Sequence, residues 1–224
     1  MSVNAPGVSV QLLGGGDNST ALQFFLLLTV LSMVPAILMM VTSFVRITIV
    51  LSFVRNAIGT QQMPPNQVLL GLALFLSLFV MAPTWTRINS DALQPYMSNQ
   101  ISANDAFDKA SGPLREFMFK QVRERDLALF IQIGNLPQPR TQADVPTYAL
   151  VPAFMISELK TAFQMGFMVL VPFLVIDIVV SSVLMSMGMM MLPPSTISLP
   201  FKLLLFVMAD GWHLIVRSLV TSFS

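Results

Sequence analysis

Three long stretches of the chain carry no charged side chain. They cover residues 18–45, 56–86 and 178–201. Each stretch is long enough to hold a helix of about 20 residues, the length that crosses the hydrocarbon core of a membrane. Most charged positions lie together between the second and third stretches. The pattern therefore predicts two apolar helical hairpins separated by one polar segment.

The first hairpin is predicted at residues 21–86, after a polar N-terminal segment at 1–20. Its first helix contains Pro35, and the pattern allows this helix either to end near Val41 or to continue to Arg55. A proline inside a helix frees a backbone carbonyl and bends the helix. The expected parts are helices at 22–41 and 66–82, with a turn at 59–65 that ends in two prolines.

The polar segment at 87–150 is predicted to be a small helical domain in water. Residues 87–146 contain seven basic and seven acidic side chains, which is most of the charge in the molecule. Ser102 and Asp105 have the spacing of a capping box, so a short helix is expected to begin there. Because proline is favoured at the first position of a helix, Gly112-Pro113 is expected to start a second, longer helix.

The second hairpin is predicted at residues 151–224. An apolar helix is expected to run to about Met187, followed by a loop that ends at Pro194. A last helix is expected from Leu199 to Phe223. Both hairpins thus share one plan, in which a helix containing proline leads through a Pro-Pro turn into a second apolar helix. We interpret this as a weak repeat of composition.

Composition agrees with a membrane protein. Hydrophobic residues make up 54% of the chain and charged residues 10%, against about 25% charged in soluble domains. The net charge of +1 provides no basic surface for nucleic acid. Because the chain has no cysteine, it has no disulfide and no thiolate metal site. The predicted fold is all-α, with membrane-associated helical hairpins and an inserted small helical extracytoplasmic domain.

Two observations concern the start and the orientation of the chain. The first 20 residues lack a basic region followed by an apolar core, so we expect no intact secretory signal in this sequence. Arg46 and Arg55 are assigned to the short connection of the first hairpin, which contains no acidic residue. Basic connections favour the cytoplasmic side, which would place the polar segment outside the cytoplasm.

Asp177 and Lys202 flank the loop of the second hairpin at similar distances. Charged groups within apolar helices are costly and are usually paired or functional. The interpretation favoured here is a structural ion pair that holds the hairpin together. A role in ion or proton conduction and exposure to a water-filled cavity are the alternatives.

Methionines cluster in the same loop, at Met185, Met187 and Met189 to Met191. Because methionine is flexible and polarizable, it can seal irregular gaps that branched side chains cannot. A soft gasket around a pore is one interpretation, and ordinary packing or contact with lipid is the other. A Cu(I) thioether site is disfavoured because no histidine or cysteine lies nearby.

No catalytic machinery is evident. Ser157 and Lys160 match an S-x-x-K pattern, but the motifs that accompany it in β-lactamases are missing. Asp177 and Asp210 lack the sequence context of an intramembrane aspartyl protease, and His213 stands alone beside Trp212. We therefore expect no enzymatic activity and no cofactor.

Several longer motifs resemble one family. They are Phe53-Val-Arg-Asn-Ala-Ile-Gly-Thr60 with Pro64-Pro-Asn-Gln-Val-Leu-Leu-Gly71, Ser157-Glu-Leu-Lys-Thr-Ala-Phe163, Pro172-Phe-Leu-Val-Ile-Asp177 and Met187-Gly-Met-Met-Met-Leu-Pro-Pro194. The last continues to Leu199-Pro-Phe-Lys202 and Asp210-Gly-Trp212. From about Leu22 to Phe223, the sequence resembles the FliP/SctR family of type III secretion export gates. Asp91-Ala-Leu-Gln-Pro-Tyr96 and Pro113-Leu-Arg-Glu-Phe-Met118 favour its flagellar branch over the virulence branch.

The resemblance implies a channel subunit that passes unfolded flagellar proteins across the bacterial inner membrane. Its implied partners are other FliP copies, FliQ, FliR, FlhB with other membrane proteins of the export apparatus, and lipid. It implies a location in the flagellar basal body, partly in the periplasm. It also implies that neighbouring subunits cover the apolar helices as much as lipid does. A secondary transporter with helices broken by proline remains the alternative from another class.

The resemblance also implies roles for particular residues. Met189, Met190 and Met191 match the gasket at the narrowest point of the pore. Asp177 and Lys202 match a pair of buried charges. The positions implied in subunit assembly are Glu158, Phe117 and Phe130.

Overall fold

A computed structural model of the chain describes residues 4–5, 8–9, 18–60, 62–189 and 192–223. Helices dominate this part of the chain, so the predicted all-α fold of membrane-associated helices is confirmed. The elements are β1 (Asn4–Ala5), β2 (Val8–Ser9), α1 (Asn18–Met40), α2 (Phe44–Ile58), α3 (Asn66–Ile88), a π turn (Asn89–Leu93), α4 (Gln94–Met97), α5 (Ala103–Gln121), α6 (Glu124–Ile133), a 3-10 turn (Gln142–Asp144), α7 (Thr147–Ser186), α8 (Pro194–Met208) and α9 (Gly211–Thr221).

The chain divides into two units, Met1–Leu38 and Met39–Ser224. In the first unit, β1 and β2 form one short antiparallel pair, and most of α1 follows. Phe25, Leu31 and the other large apolar residues described on α1 are exposed. The second unit contains the described helices from α2 onward.

Helix α2 lies at the centre of the second unit, against α3 and α7. Its buried apolar residues recur at helical spacing, as expected of a helix packed on one broad face. They are Ile47, Val50, Leu51, Val54, Ala57 and Ile58. Across the contact with α7, the rings of Phe53 and Phe163 meet edge to face with centroids 5.4 Å apart.

A second apolar cluster joins α5 to the N-terminal half of α7. Phe117 and Met118 of α5 pack with Leu150 and Phe154 of α7, and Met81 of α3 completes the cluster. The ring centroids of Phe117 and Phe154 are 5.9 Å apart, in an edge-to-face arrangement. The polar segment is therefore attached to the apolar helices through a shared core.

Within the described residues, two helical stretches are long and apolar enough to cross a membrane, namely Asn66–Met97 and Thr147–Ser186. Helices α8 and α9 together make a third candidate, although they meet at a bend of 63°. The first stretch combines α3, the π turn and α4, so helical structure continues past Pro83 and across residue 87. The hydropathy pattern alone predicts that this helix ends near residue 82.

The break between α5 and α6 differs from the sequence-based expectation. A single helix begins at the capping box of Ser102 and Asp105, which is confirmed, and it continues through Pro113 to Gln121. Pro113 lies buried inside this helix rather than at the start of another. The chain then becomes extended at Val122 and Arg123 before α6 begins.

The predicted last helix is in fact two helices. Asp210 adopts a left-handed conformation with φ of 49°, which a non-glycine residue rarely takes and which ends the path of α8. Gly211 follows, and a Cβ atom there would lie 2.3 Å from the Phe206 ring. The sharp bend therefore depends on the missing side chain at this position. Helix α7 also begins earlier than expected, at Thr147, and contains Pro152 within its second turn.

Candidate functional site: charge pairs and the methionine loop

Asp177 and Lys202 lie together across the second hairpin, joining α7 to α8. Lys202 Nζ is 2.6 Å from Asp177 Oδ2, and the hydroxyl of Ser198 donates to Asp177 Oδ1 at 2.6 Å. The lysine side chain is 9% exposed and the aspartate side chain 33% exposed. Solvent therefore reaches the aspartate of this pair but barely reaches the lysine.

A second charge pair, between Arg46 and Glu158, was not foreseen from the sequence. It joins α2 to α7, and the two side chains are 2% and 0% exposed. Arg46 Nε donates to Glu158 Oε2 at 2.9 Å, and Nη2 donates to Glu158 Oε1. This two-pronged geometry suits the planar guanidinium.

The burial of Arg46 corrects the argument about orientation. Arg46 is part of α2 and faces the core, so it is not a basic residue of a cytoplasmic connection. Arg55 also belongs to α2, where it donates to the side chain of Asn66. Without Arg46, the connection of the first hairpin has too little basic charge for the positive-inside rule to indicate its orientation.

A signal for this pair was present in the sequence. Arg46 lies four and eight residues before Val50 and Val54, on the face of α2 that is apolar and buried. Glu158 lies four residues from Phe154 and from Ala162, which are both buried. A charge on the apolar stripe of a helix must find a partner inside. The sequence could indicate that each was buried, but not that they meet across 112 residues.

Ser157, beside Glu158, forms hydrogen bonds with residues at the break between α5 and α6 and at the start of α6. Its hydroxyl accepts from the backbone N–H of Arg123 at 3.1 Å and donates to Asp126 Oδ2 at 2.7 Å. The freed amide of the extended residue is thereby satisfied by α7, which explains why the helix can break there. The hydroxyl of the S-x-x-K match thus has a structural role.

The three positions implied in assembly have different surroundings. Glu158 is fully buried, and Phe117 is 9% exposed. Phe117 contacts Phe154 and stacks with Phe223, at 6.2 Å between ring centroids. Phe130 lies on α6 and is partly exposed. Of the three, Phe130 is the most accessible to another chain.

The methionine loop follows the end of α7. Met185 and Met187 are exposed, and Gly188 turns the chain with φ of 74°, a conformation that favours glycine. Met189 comes next and is 42% exposed. Met190 and Met191, the other predicted gasket residues, lie outside the described residues.

These features define a helical membrane protein whose apolar helices are joined by one buried and one partly buried charge pair. The comparisons with known proteins identify its family. A profile of the FliP family matches residues 27–219, and the chain belongs to this family.

Individual relatives cover nearly the same range. The chain is 60% identical to "Flagellar biosynthetic protein FliP" of Bacillus subtilis (strain 168) over 205 residues, which are 92% of this chain and 93% of the relative. It is 56% identical to the protein of that name from Caulobacter vibrioides, over 94% of this chain and 79% of the relative. For the one from Pectobacterium carotovorum, the identity is 54% over 97% of this chain and 85% of the relative.

Proposed function

We propose that this protein is a core channel subunit of the flagellar type III export gate. The observation that carries the proposal is the match to the FliP family over residues 27–219. The relatives described above are named flagellar biosynthetic proteins, which favours a flagellar role over one in virulence secretion. The gate would conduct unfolded flagellar proteins across the inner membrane, with the driving energy supplied by other components.

The partners of this subunit are further copies of the chain together with FliQ, FliR, FlhB and lipid. The distal half of α7 supports this part of the proposal because it exposes a long row of large apolar side chains. Surfaces of this kind are covered by lipid or by other proteins. The row includes Phe167, Met168, Val175 and Ile178.

The gate itself is assigned to Met189, Met190 and Met191. The support is their place in the sequence, between α7 and α8, and the exposure of the Met189 side chain. A ring of thioether side chains can deform around a passing polypeptide and close again, because methionine has several rotatable bonds and a polarizable sulfur. Asp177 and Lys202 hold the two helices that carry this loop.

The inner membrane and the basal body are the proposed location, with residues 87–150 on the periplasmic side. The dense and balanced charge of residues 87–146 suits exposure to water. Because the chain has no cysteine, single introduced cysteines can report which side of the membrane a segment faces. A cysteine at Lys109, which is exposed on α5, is expected to react with an impermeant maleimide in intact spheroplasts. Labelling only after lysis would place the segment in the cytoplasm instead.

The decisive test is complementation. A bacterial strain that lacks its own FliP should regain motility and export of flagellar proteins when it expresses this chain. The triple variant Met189→Ala, Met190→Ala and Met191→Ala should raise ion conductance in vesicles that contain the assembled gate. The matched control replaces Met97 and Met208 with alanine, since both are exposed, on α4 and α8. Equal conductance in the triple variant and the wild type would argue against a gasket.

A further inference from the structure

The guanidinium of Arg46 has an acceptor for every N–H that it carries. Besides the two bonds to Glu158, Nη1 donates to the backbone oxygen and the hydroxyl oxygen of Ser222, each at 3.0 Å. Nη2 donates to Gln121 Oε1 at 2.9 Å. Only arginine offers this number of donors in one rigid plane. One side chain of α2 thus binds α7, the end of α5 and the segment after α9.

The same group also reaches α5 through an aromatic ring. The guanidinium carbon lies 3.9 Å from the centroid of the Phe223 ring, which in turn stacks on Phe117. Gln121 Nε2 donates to the Phe223 backbone oxygen at 3.2 Å. Phe117 and Gln121 are four residues apart and therefore share one face of α5. Arg46 holds this face in two places, directly at Gln121 and indirectly at Phe117.

This geometry changes what Glu158 and Phe117 can do in assembly. A carboxylate with no exposed surface, and with both oxygens on Arg46, has nothing to offer a second copy of the chain. Phe117 is enclosed by Phe154 and Phe223. An effect of either residue on association must therefore pass through the position of α5. The element directly after it is α6, which exposes Leu129 and Ile133.

We infer that Arg46 is a positioning residue for the surface through which copies of this chain associate. It fixes the C-terminal end of α5, and hence the start of α6, against α2 and α7. Glu158 keeps the buried guanidinium neutralised so that it can make these contacts. This inference rests on the proposed function, in taking copies of the chain to associate through the segment that contains α6.

The test must separate positioning from simple stability. Removing Arg46 or Glu158 alone leaves an unpaired buried charge, which destabilises a fold in any case. The double variant Arg46→Met and Glu158→Met avoids this problem because it replaces the pair with apolar side chains of similar size. It also removes the contacts with Gln121 and Ser222. The variant Gln121→Leu keeps the charge pair and removes the contact of Arg46 with α5, together with the hydrogen bond from Gln121 to Phe223. Gln67→Leu is its control at an exposed amide of α3.

Position is measured by spin labels on introduced cysteines, in the full chain purified in detergent. A label at Asp108 on α5 and one at Leu159 on α7 should give a narrow distance distribution in the wild type. We expect this distribution to broaden in the double variant and in Gln121→Leu, but not in Gln67→Leu. Labels at Asn56 on α2 and Leu159 should keep their distribution in Gln121→Leu. An unchanged distance between α5 and α7 in the double variant would overturn the inference.

Association is measured on the same samples by native mass spectrometry. The double variant and Gln121→Leu should associate at least about tenfold more weakly than the wild type. The affinity of Arg46→Lys should lie between that of the wild type and that of these two variants. Wild-type association in a variant with a displaced α5 would refute the link to assembly. A wild type that stays monomeric would instead contradict self-association in the proposed function, and the label distances would still decide the role of Arg46.

Discussion

Asp177 and Lys202 form a charge pair between α7 and α8, the two helices that flank the methionine loop. The ammonium and carboxylate meet at 2.6 Å, and Ser198 occupies the second carboxylate oxygen. Because the contact is only partly exposed, losing one partner leaves a charge in an apolar setting. Such a charge costs more than the loss of the contact itself.

We therefore predict that export depends on opposite charges at positions 177 and 202, and depends less on which of the two positions is negative. The single reversals Asp177→Lys and Lys202→Asp should each reduce export strongly, because each places two like charges together. The double reversal should recover a substantial part of the loss. Export of flagellar protein into the medium is the measurement. Equal loss in all three variants would remove the argument for pairing.

Glu116 presents the contrasting case of a charge cluster in water. Its carboxylate accepts from Arg87 at 2.5 Å and pairs with Lys120 at 3.2 Å. The hydrogen bond from Arg87, followed by the one from Lys120, holds the pKa of Glu116 below its usual value. Because Glu116 is exposed, we expect its contribution to stability to be small.

The lowered pKa sets the direction of a pH effect. The folded state favours the charged carboxylate, so the contribution of Glu116 is fully present above the unfolded pKa of about 4.3. It is lost as the pH falls through the lower folded pKa. Hydrogen-exchange protection of α5, corrected for the intrinsic rate, should decrease between about pH 5 and pH 3. Glu116→Gln should reduce this decrease, and an identical pH profile in the variant would contradict the prediction.

Among the helices, the contact of α2 with α7 depends on Gly166. A Cβ atom at this position would lie 2.5 Å from Cγ of Phe53, which is far inside ordinary contact distance. Gly166 therefore allows the two helices to approach closely, as small residues do at helix contacts in membranes. The same contact brings Arg46 within reach of Glu158.

We predict that Gly166→Ala destabilises the fold by about 1–3 kcal/mol, the usual cost of overpacking. Adding Phe53→Leu should recover part of the loss, since the smaller side chain gives the methyl group room. Gly71→Ala is the control, because a Cβ there would have no neighbour within 4 Å. Thermal unfolding in detergent is the measurement. A neutral Gly166→Ala variant would mean that the helices can separate without cost.

For the molecule as a whole, the extent of exposed apolar surface predicts obligate partners. The exposed row on α7 continues well beyond the part of this helix that packs on α2. We predict that the tagged chain, solubilised gently from its native membrane, copurifies with further copies and with small helical membrane proteins. Recovery of a monomer that binds a small solute would favour the transporter alternative.

Much of the local structure was predictable from short stretches of sequence. The capping box at Ser102 and Asp105 is a contact between residues three apart, and its two side chains suffice to form it. Gly134 directly follows α6, and glycine at the end of a helix is a stop signal that the sequence alone shows. The pair of Asp177 and Lys202 was within reach because both flank the same loop.

Breaks in the helices were less predictable. The pattern around Pro113 favours a new helix, yet α5 passes through this residue, which is buried in the middle of the helix. The actual break at Val122 and Arg123 is stabilised by Ser157, which is 34 residues away from Arg123. Hydropathy carries no signal for a contact of that kind.

The sequence by itself determined that this chain is helical, that it is apolar enough for a membrane and which family it belongs to. These properties follow from composition, helical spacing and local motifs, which neighbouring residues settle among themselves. Only the tertiary structure decided which partners the buried Arg46 and Glu158 have. Arg46 faces inward because Glu158, Gln121 and Ser222 converge on it from three separate parts of the chain. The free energy of a buried charge depends on such partners, and the fold alone brings them together.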